Sequence, residues 1–300
     1  MKWWVAISLA LAVLVGCGAP ADSTKTGGDK PTGGKLTIAL VPSEDQEKML
    51  AGFEPIRAHL AKELGREVEV ITVTDYAGAV EAMRAEKVDI AWFGPLSYIL
   101  AHREAGAEAF AIGNDTKKGP QYHSLMVVPA GSPAQKVEDL AGKRAAFVDP
   151  GSTSGYLIPR SAIEEITGQD PEKFFQSVVF AGGHDAALLA LKSGSVDVAM
   201  VQDVTFEDMS EKGLIDPAQF RILRKSDPIP GSPLAVRKSL DAETKTKIAK
   251  LITEAHLSGI KMEVPGQGVF DKFLAVDHSK YQPIEAMVDR LKLTRDQMAK

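Results

Sequence analysis

The segment TDYAGAVEAMRAEKVDIAWFGPLSY (74–98) is matched 108 residues later by GGHDAALLALKSGSVDVAMVQDVTF (182–206). The stretches KLTIALVP (35–42) and KRAAFVDP (143–150), which precede them, are separated by the same offset. Each block combines short β-branched runs with an apolar helical pattern, so the offset predicts two related βαβ lobes. Strand spacing that any two βαβ units share is the alternative explanation of the match, and a two-lobed chain is predicted in either case.

The rest of the body continues this alternation, which is typical of α/β folds with largely parallel sheets. In the longest helical pattern Met49, Phe53, Ile56 and Leu60 recur at helical spacing. The predicted strands are 36–42, 67–73, 88–94, 109–113, 124–130, 143–150, 176–182 and 196–202. The predicted helices are 46–64, 155–167 and 185–193, and the tail from residue 241 is predicted to be mostly helical.

The composition is that of a soluble globular body of one large or two ordinary domains, with 300 residues, 44% of them hydrophobic and 25% charged. Disordered, collagenous and multi-span membrane proteins are excluded. The 40 acidic and 35 basic residues give a net charge of −5 without clustering, so no nucleic-acid-binding surface is expected. The single cysteine excludes internal disulfides, thiolate-rich zinc sites and CxxC redox modules.

That cysteine, Cys17, ends the N-terminal stretch MKWWVAISLALAVLVGC (1–17). Within this stretch a cation is followed by a short apolar run and then by small residues, which is the order of a secretory signal peptide. The apolar run is too short to span a bilayer. Leu14-Val15-Gly16-Cys17 resembles the lipobox of bacterial lipoproteins, in which the cysteine is acylated. We expect a signal peptide at 1–16, a lipid anchor at Cys17 and a flexible tether over 17–34. An unused thiol in a discarded peptide is the alternative.

The loop GSTSG (151–155) follows a predicted strand and opens a predicted helix. Ser152, Thr153 and Ser154 place three hydroxyl groups at a helix N-terminus, where unpaired N–H groups and the helix dipole attract anions. The flanking glycines let the backbone approach a ligand closely. We predict an oxyanion-binding loop; the alternative is an ordinary N-cap, for which one serine suffices.

The partner loop in the first lobe is FGPLSY (93–98). Pro95 suits the first position of a helix, and the N–H groups of Ser97 and Tyr98 would then be available to an anion. The Tyr98 phenol is a further candidate donor, with a half-buried aromatic as its alternative role. Because ligands bind beyond the carboxyl ends of parallel strands, the loops of the two lobes are expected to converge on one cleft.

Tyr76 and His184 correspond at the offset of 108, each at the start of the helix after the second strand of its lobe. His184 is predicted to donate from one ring nitrogen or to carry a charge beside an anion, and helix capping is its alternative role. Asp203 suits an oxyanion only if the ligand keeps a proton that the carboxylate accepts in a hydrogen bond. Its alternative role is the N-cap of a helix at 204–211.

Catalytic and metal-binding motifs are absent from the sequence. It contains no HExxH, P-loop or GxSxG pattern and no GxGxxG after a strand, and its six histidines show no metal-ligand spacing. We therefore expect no cofactor, no metal and no catalytic residue.

After the lipobox, the chain carries LTIALVPSED, the segment 74–98, STSGY and GGHDAALLALKSGSVDVAMVQD in this order. In these motifs it resembles the phosphate-, phosphite- and phosphonate-binding proteins of ABC importers, the PhnD-like family, over roughly residues 35–260. The resemblance implies an α/β, type II periplasmic-binding-protein fold. In that fold two α/β lobes, joined by two crossing hinge segments, close on a ligand in the cleft between them.

The resemblance also implies domain bounds and site residues. Crossings near 119–124 and 226–233 would place 35–120 plus 232–300 in lobe 1 and 121–231 in lobe 2. Matched position by position, the family's oxyanion-binding residues fall on Tyr98, Ser152, Thr153, Ser154 and His184, and less closely on Tyr76 and Asp203.

The implied function is that of a lipid-anchored, monomeric extracytoplasmic receptor that delivers a small phosphorus oxyanion to a membrane permease and its ATPase. Family members that bind aminoalkylphosphonates hold the amine with acidic side chains in regions that align near Val204 and Ser232. Neutral residues there favour phosphite, phosphate or methylphosphonate. Two alternatives stay open: a receptor that signals to a membrane kinase, and an enzyme on the same scaffold, for which the cleft offers only His184 and Asp203.

Overall fold

The computed structural model describes residues 34–293, which form two α/β lobes. The strands are β1 Leu36–Leu40, β2 Val68–Thr72, β3 Ile90–Trp92, β4 Glu108–Asp115, β5 Gln121–Tyr122, β6 Ser124–Pro129, β7 Arg144–Phe147, β8 Ser177–Phe180, β9 Val198–Gln202, β10 Phe220–Lys225, β11 Ile229–Pro230, β12 Pro233–Val236, β13 Met262–Val264 and β14 Gly268–Ala275. The helices are α1 Gln46–Leu64, α2 Tyr76–Arg84, α3 Pro95–Ala105, α4 Ile158–Thr167, α5 Pro171–Phe174, α6 His184–Lys192, α7 Asp203–Glu211, α8 Ala242–Thr253 and α9 Gln282–Arg290.

Each lobe is built on one mixed sheet. The sheet of lobe 1 has the order β13-β14-β4-β12-β3-β1-β2, and that of lobe 2 the order β10-β6-β9-β7-β8. β1 is parallel to β2 and β3, and β7 is parallel to β8 and β9, whereas the other pairs are antiparallel. The expectation of largely parallel sheets is therefore right only for three neighbouring strands at one edge of each sheet, β3-β1-β2 in lobe 1 and β9-β7-β8 in lobe 2. Chain segments next to the crossings and in the tail add antiparallel strands on the other side.

The internal match in the sequence corresponds to a repeated structural unit. The order β1-α1-β2-α2-β3-α3 of lobe 1 returns in lobe 2 as β7-α4-α5-β8-α6-β9-α7, with one additional short helix. Tyr76 begins α2 and His184 begins α6, while Pro95 begins α3 and Asp203 begins α7, each pair at the offset of 108. The predicted pair of related lobes is confirmed.

Two short strands connect the lobes as a ribbon. β5 pairs antiparallel with β11, with Tyr122 opposite Ile229 and Gln121 opposite Pro230. Both strands lie in the segments where the resemblance placed the crossings. The predicted signal peptide, Cys17 and the predicted tether up to residue 33 lie outside the described residues.

Helix α1 shows how the sequence sets an element of lobe 1. The Asp45 carboxylate accepts a hydrogen bond from Lys48 N (3.1 Å) and caps the helix, and Gly65 ends it with a φ of 62°. Phe53, on its buried face, lies 4.8 Å from Trp92 of β3 between ring centroids. The helix thereby packs on the lobe 1 sheet against the last residue of β3.

The tail differs from its predicted, mostly helical form. It adds β13 and β14 to the edge of the lobe 1 sheet. Phe270 and Phe273 of β14 are both buried, although they are three residues apart, because the strand has a register shift between Phe270 and Lys272. Such a bulge gives a strand the spacing of a helix in the sequence, which is why the alternation was not recognised.

Candidate functional site

A small cavity lies between the lobes, where β1, β3, β7 and β9 end. It is lined by Val41, Ser43, Tyr76, Trp92, Phe93, Gly94, Tyr122, Ser152, Thr153, Ser154, His184, Gln202, Ser232 and Gln267. Both lobes contribute to this set, which contains hydroxyl, amide, indole and imidazole groups but no Lys or Arg. An anion in this cavity would be bound by neutral hydrogen-bond donors.

The predicted oxyanion loop contributes its three hydroxyl residues to the cavity. Ser152 accepts a hydrogen bond from Gly155 N (3.0 Å) and caps the helical turn Thr153–Leu157, which continues into α4. Thr153 Oγ1 accepts a hydrogen bond from the backbone N–H of Leu96 (2.8 Å) in the other lobe. Because a hydroxyl accepts and donates at once, Thr153 can still donate its hydrogen to a ligand. The turn therefore points a helix N-terminus and hydroxyl donors at the cavity.

His184 faces the same cavity from the start of α6. Its Nδ1 accepts a hydrogen bond from Gln202 N (3.1 Å), which fixes the neutral tautomer that carries its proton on Nε2. Burial lowers the pKa of His184 to about 3. The structure thus favours the first of the two predicted roles, a neutral donor, over an imidazolium.

Tyr76 and Tyr122 add two phenols. Burial, and secondly the charge of Asp149, raises the pKa of Tyr76 well above its usual range, and the Ser152 side chain is within hydrogen-bonding reach of it. Burial likewise raises the pKa of Tyr122, with Thr153 and Ser154 in reach. Both phenols stay protonated and can donate. Tyr122 was not singled out from the sequence; its only signal was an aromatic residue inside the first crossing segment.

The structure does not bring Tyr98 and Ser97 to the cavity lining. The Tyr98 hydroxyl lies 3.2 Å from His278 Nδ1, and its ring packs 5.0 Å from that of Tyr281. Its backbone N–H donates to Gly94 O (2.9 Å), within the first turn of α3, and is not available to an anion. Ser97 Oγ donates to the same carbonyl (3.0 Å). Three residues into α3, the side chain of Tyr98 has turned towards the segment that leads into α9.

Asp203 also lies away from the cavity lining. Its carboxylate accepts a hydrogen bond from His123 N (3.0 Å) and pairs with Lys118 Nζ (2.6 Å). Burial opposes ionisation, but the hydrogen bonds of Lys118 and His123 outweigh it and lower the pKa of Asp203. Asp203 is the first residue of α7, behind Gln202 at the N-cap, so it is not the N-cap either. It ties α7 to the residues on both sides of β5.

Hydrogen bonds across the cleft, each with at least one backbone partner, show that the lobes are closed on each other. In addition to the bond between Leu96 and Thr153, His184 N donates to Ser43 O (3.0 Å), and Gln202 Nε2 donates to Gly266 O (2.8 Å). These contacts hold the two lobes together across the cavity, so exchange of a ligand would require the lobes to part.

A second cavity adjoins the first and shares part of its lining. It contains the two positions singled out for amine recognition, Val204 and Ser232, together with the aromatic rings of Trp92 and Phe270. Its one acidic residue is Asp115. The Asp115 carboxylate already accepts hydrogen bonds from the backbone N–H groups of residues 117, 118 and 269, at 2.8, 2.8 and 3.0 Å.

The fold and the cavity agree with a comparison to known families. Residues 38–281 match the family described as ABC transporter, phosphonate, periplasmic substrate-binding protein. The chain belongs to this family. Membership confirms the resemblance inferred from the motifs and makes the protein a periplasmic substrate-binding protein of the ABC phosphonate transporter type.

Individual members of the phosphonate-binding family show the same likeness. The chain is 33% identical over 261 residues to the phosphate-import protein PhnD of Mycolicibacterium smegmatis, which covers 81% of either chain. It superposes with a TM-score of 0.76 and 26% identity on the binding protein component of an ABC phosphonate transporter from Pseudomonas aeruginosa, covering 89% of this chain and 92% of that one. PhnD1 from Prochlorococcus marinus, solved in complex with methylphosphonate, shares the fold with a TM-score of 0.74, 20% identity and coverage of 86% and 98%.

Within residues 34–293, no helix is long and apolar enough to cross a membrane. In the same part of the chain, no group of three or more His, Cys, Asp or Glu side chains is placed to hold a metal ion.

Proposed function

We propose that the protein captures a small phosphorus oxyanion, namely phosphite, phosphate or an alkylphosphonate, by closure of the two lobes and delivers it to the permease and ATPase of its importer. The observation that carries this proposal is the cavity between the lobes, in which neutral donors of both lobes converge. No bond of the ligand is made or broken.

The proposed ligand contacts come from two surfaces of the cavity. Lobe 2 supplies the hydroxyl groups of Ser152, Thr153 and Ser154, the N-terminus of a helix, and His184, which donates from Nε2. Lobe 1 supplies the phenol of Tyr76. Hydrogen bonds from fixed neutral dipoles bind an anion without a buried cation, whose desolvation would be costly. Tyr122 is the further donor that we add to the set predicted from the sequence, and Tyr98, Ser97 and Asp203 act indirectly, through packing and the crossing segments.

The second cavity is the space for a substituent on phosphorus. Apart from Asp115 its lining is neutral, and the oxygens of that carboxylate are engaged by three backbone N–H groups. A cationic amine would find no uncommitted carboxylate there, so we propose a hydrogen atom, a hydroxyl or a methyl group as the substituent. The relative from Prochlorococcus marinus was solved with methylphosphonate, which supports a ligand of this size.

A ligand panel tests this proposal. Of the three tryptophans, Trp3 and Trp4 lie in the predicted signal peptide, so Trp92 is the one that remains in the mature chain, and it lines both cavities. We expect its fluorescence and the heat of binding to respond to phosphite, phosphate or methylphosphonate, and aminoethylphosphonate and sulfate to bind more weakly. Tightest binding of aminoethylphosphonate would overturn the proposed substituent, and binding of none of the three would overturn the proposed function.

We further propose that the protein is a monomeric lipoprotein, anchored through Cys17 and held off the membrane by the tether 17–34. Lobe 1 comprises 35–120 plus 232–300 and lobe 2 comprises 121–231, with β5 and β11 as the hinge ribbon. Cys17→Ser should release the protein from the membrane fraction of cells that express it. Continued association with membranes in the variant would contradict lipidation at this residue.

A further inference from the structure

Each lobe has one buried acidic side chain that packs against the other lobe, near the cavity. Glu44, in the loop after β1 of lobe 1, lies against the first turn of α6 in lobe 2. Asp149, in the loop after β7 of lobe 2, lies against the first turn of α2 in lobe 1. Neither residue lines the ligand cavity, and only 7% of Glu44 and 8% of Asp149 is exposed to solvent.

Asp149 holds the start of α2. Its Oδ2 lies 3.5 Å from the backbone nitrogen of Tyr76, from which it accepts a long hydrogen bond, and its Oδ1 accepts one from Gly151 N (2.7 Å) in its own loop. A single carboxyl group thus joins the oxyanion loop to the first residue of the helix in the opposite lobe. That residue, Tyr76, is one of the proposed ligand donors.

Glu44 makes the reciprocal contact with α6. Its carboxyl group lies close enough to the backbone N–H of Asp185 for that group to favour its ionised form, while the neighbouring carbonyl of Ser43 accepts a hydrogen bond from His184 N (3.0 Å). Glu44 Oε1 also lies 3.2 Å from Gln202 Nε2 and is hydrogen-bonded to the Thr205 hydroxyl. The helices α2 and α6 are equivalent in the repeat. Glu44 of lobe 1 therefore contacts the helix that begins with His184, and Asp149 of lobe 2 contacts the helix that begins with Tyr76.

Both carboxyl groups lack a cationic partner within residues 34–293, where neither forms an ion pair. The charged groups around Glu44 are Asp185 of α6, Asp208 of α7, Asp45 of its own loop, and two lysines, Lys48 and Lys192, which line a surface pocket with it. Burial, followed by the charge of Asp185, raises the pKa of Glu44 well above its usual range.

Among the described residues, no cation is found to act on Asp149. The groups that face it are the phenol of Tyr76 and the carboxylate of Asp75, both in lobe 1. Burial raises the pKa of Asp149 to about 6, although the N–H groups of Gly151 and Tyr76 favour its ionised form. In an open cleft, water would solvate both carboxylates and restore ordinary pKa values near 4.

We propose that Glu44 and Asp149 are positioning residues of the closed state, and that each takes up a proton when the cleft closes, so that ligand capture is coupled to proton uptake. This inference rests on the proposed function, because it assigns the linkage to ligand-driven closure. In the closed state the two acids fix the first turns of α2 and α6, which orient Tyr76 and His184 towards the ligand.

The sign of the linkage follows from the two states. At a pH above the ordinary pKa of a carboxyl group, Glu44 and Asp149 are both ionised in the open protein. In the closed protein their pKa values are raised, so the two side chains stay protonated up to a higher pH. Closure is therefore favoured as the pH falls and disfavoured as it rises through the closed-state pKa, which for Asp149 lies at about 6. His184 does not contribute to this change, since its pKa is lowered to about 3.

Calorimetry on the full chain with methylphosphonate measures this uptake. Titrations at pH 6 in buffers of different ionisation enthalpy give the number of protons bound with each ligand, and the ligand's own protons cancel between variants. Relative to the wild-type protein, we expect both Glu44→Gln and Asp149→Asn to take up fewer protons, the latter about half a proton fewer. Glu47→Gln, an exposed acid on the same stretch of lobe 1, is the matched control and should equal the wild-type protein.

An infrared difference spectrum of the wild-type protein, bound minus free, keeps the test independent of how the variants fold. It should show a protonated carboxyl band that appears on binding. The same uptake in all four proteins and no such band would overturn the inference while leaving the proposed function intact. If methylphosphonate, phosphite and phosphate all fail to bind, the proposed function itself is overturned and the inference falls with it.

Discussion

Tyr76 and His184 begin equivalent helices of two copies of one unit, 108 residues apart, and line the same cavity from opposite lobes. The repeat therefore does more than duplicate a fold. When two such units face each other, the N-terminal residues of α2 and α6 are brought together, and each contributes a polar ring to the space between them. The two rings differ chemically, a phenol and an imidazole, but both are held neutral by burial.

His184→Asn should weaken ligand binding by about tenfold or more, because a hydrogen bond to a charged acceptor contributes roughly 1.5–3 kcal/mol. With a pKa of about 3, the imidazole of His184 stays neutral throughout the physiological range. The ratio of wild-type to variant affinity, measured by calorimetry with methylphosphonate, should therefore be constant from pH 5 to pH 8. A ratio that grows as the pH falls through the ordinary histidine range would show that His184 binds as a cation.

Thr153→Val should impair both ligand binding and closure. The variant loses the hydroxyl that accepts the N–H of Leu96 across the cleft and is left with an unsatisfied, buried backbone donor, which costs roughly 1–3 kcal/mol. Affinity should fall by at least about tenfold, and by more when Ser152→Ala is added. Thr153→Ser keeps the hydroxyl and is the matched control. Equal affinities of the Val and Ser variants would remove this hydroxyl from the site.

Gly151→Ala should block full closure by a steric effect. A Cβ atom on Gly151 would lie 2.7 Å from Cβ of Tyr76 in the other lobe, closer than two carbon atoms can approach, and neither backbone can yield while the lobes are together. We expect weaker ligand binding and a larger radius of gyration in the presence of ligand by small-angle scattering. Gly131→Ala is the matched control, because nothing lies within 4 Å of its added Cβ. If Gly151→Ala binds the ligand with unchanged affinity, the lobes of the bound protein are further apart than in this structure.

Much of the fold could be predicted because it is local. The strands of each unit, the start of α1 at Asp45 and the loop at 151–155 depend on patterns and caps within a few residues. β14 could not be recognised, since its bulge brings Phe270 and Phe273 to one face and imitates helical spacing. A bulge is stabilised by pairing with β4, more than 150 residues away in the chain, and leaves no local signature.

The site shows the same division. The hydroxyl loop and His184 could be predicted to line the cavity, because the N-terminus of a helix can be recognised from the sequence. Tyr122 was missed because its role depends on where the crossing segment passes. Tyr98 was misplaced because the direction of a side chain along α3 is fixed by packing against Tyr281, not by its distance from Pro95 in the sequence.

Asp203 gives a prediction that separates a structural role from a ligand contact. Its buried carboxylate binds Lys118 and His123, so Asp203→Asn should lower the free energy of unfolding by roughly 1.5–3 kcal/mol, the contribution of a charge-assisted hydrogen bond. The pKa of Asp203 is lowered in the folded protein. This contribution is therefore fully present above the ordinary aspartate pKa of about 3.9 and is lost as the pH falls below it.

Chemical denaturation of the wild-type protein and Asp203→Asn at a series of pH values checks this dependence. The difference in stability should be constant from pH 5 to pH 8 and shrink below about pH 4. At saturating methylphosphonate the variant should still bind, because the Asp203 side chain is 2% exposed and does not line the cavity. If Asp203→Asn instead keeps its stability and loses binding, the carboxylate accepts a hydrogen bond from the ligand, as its place after β9 first suggested.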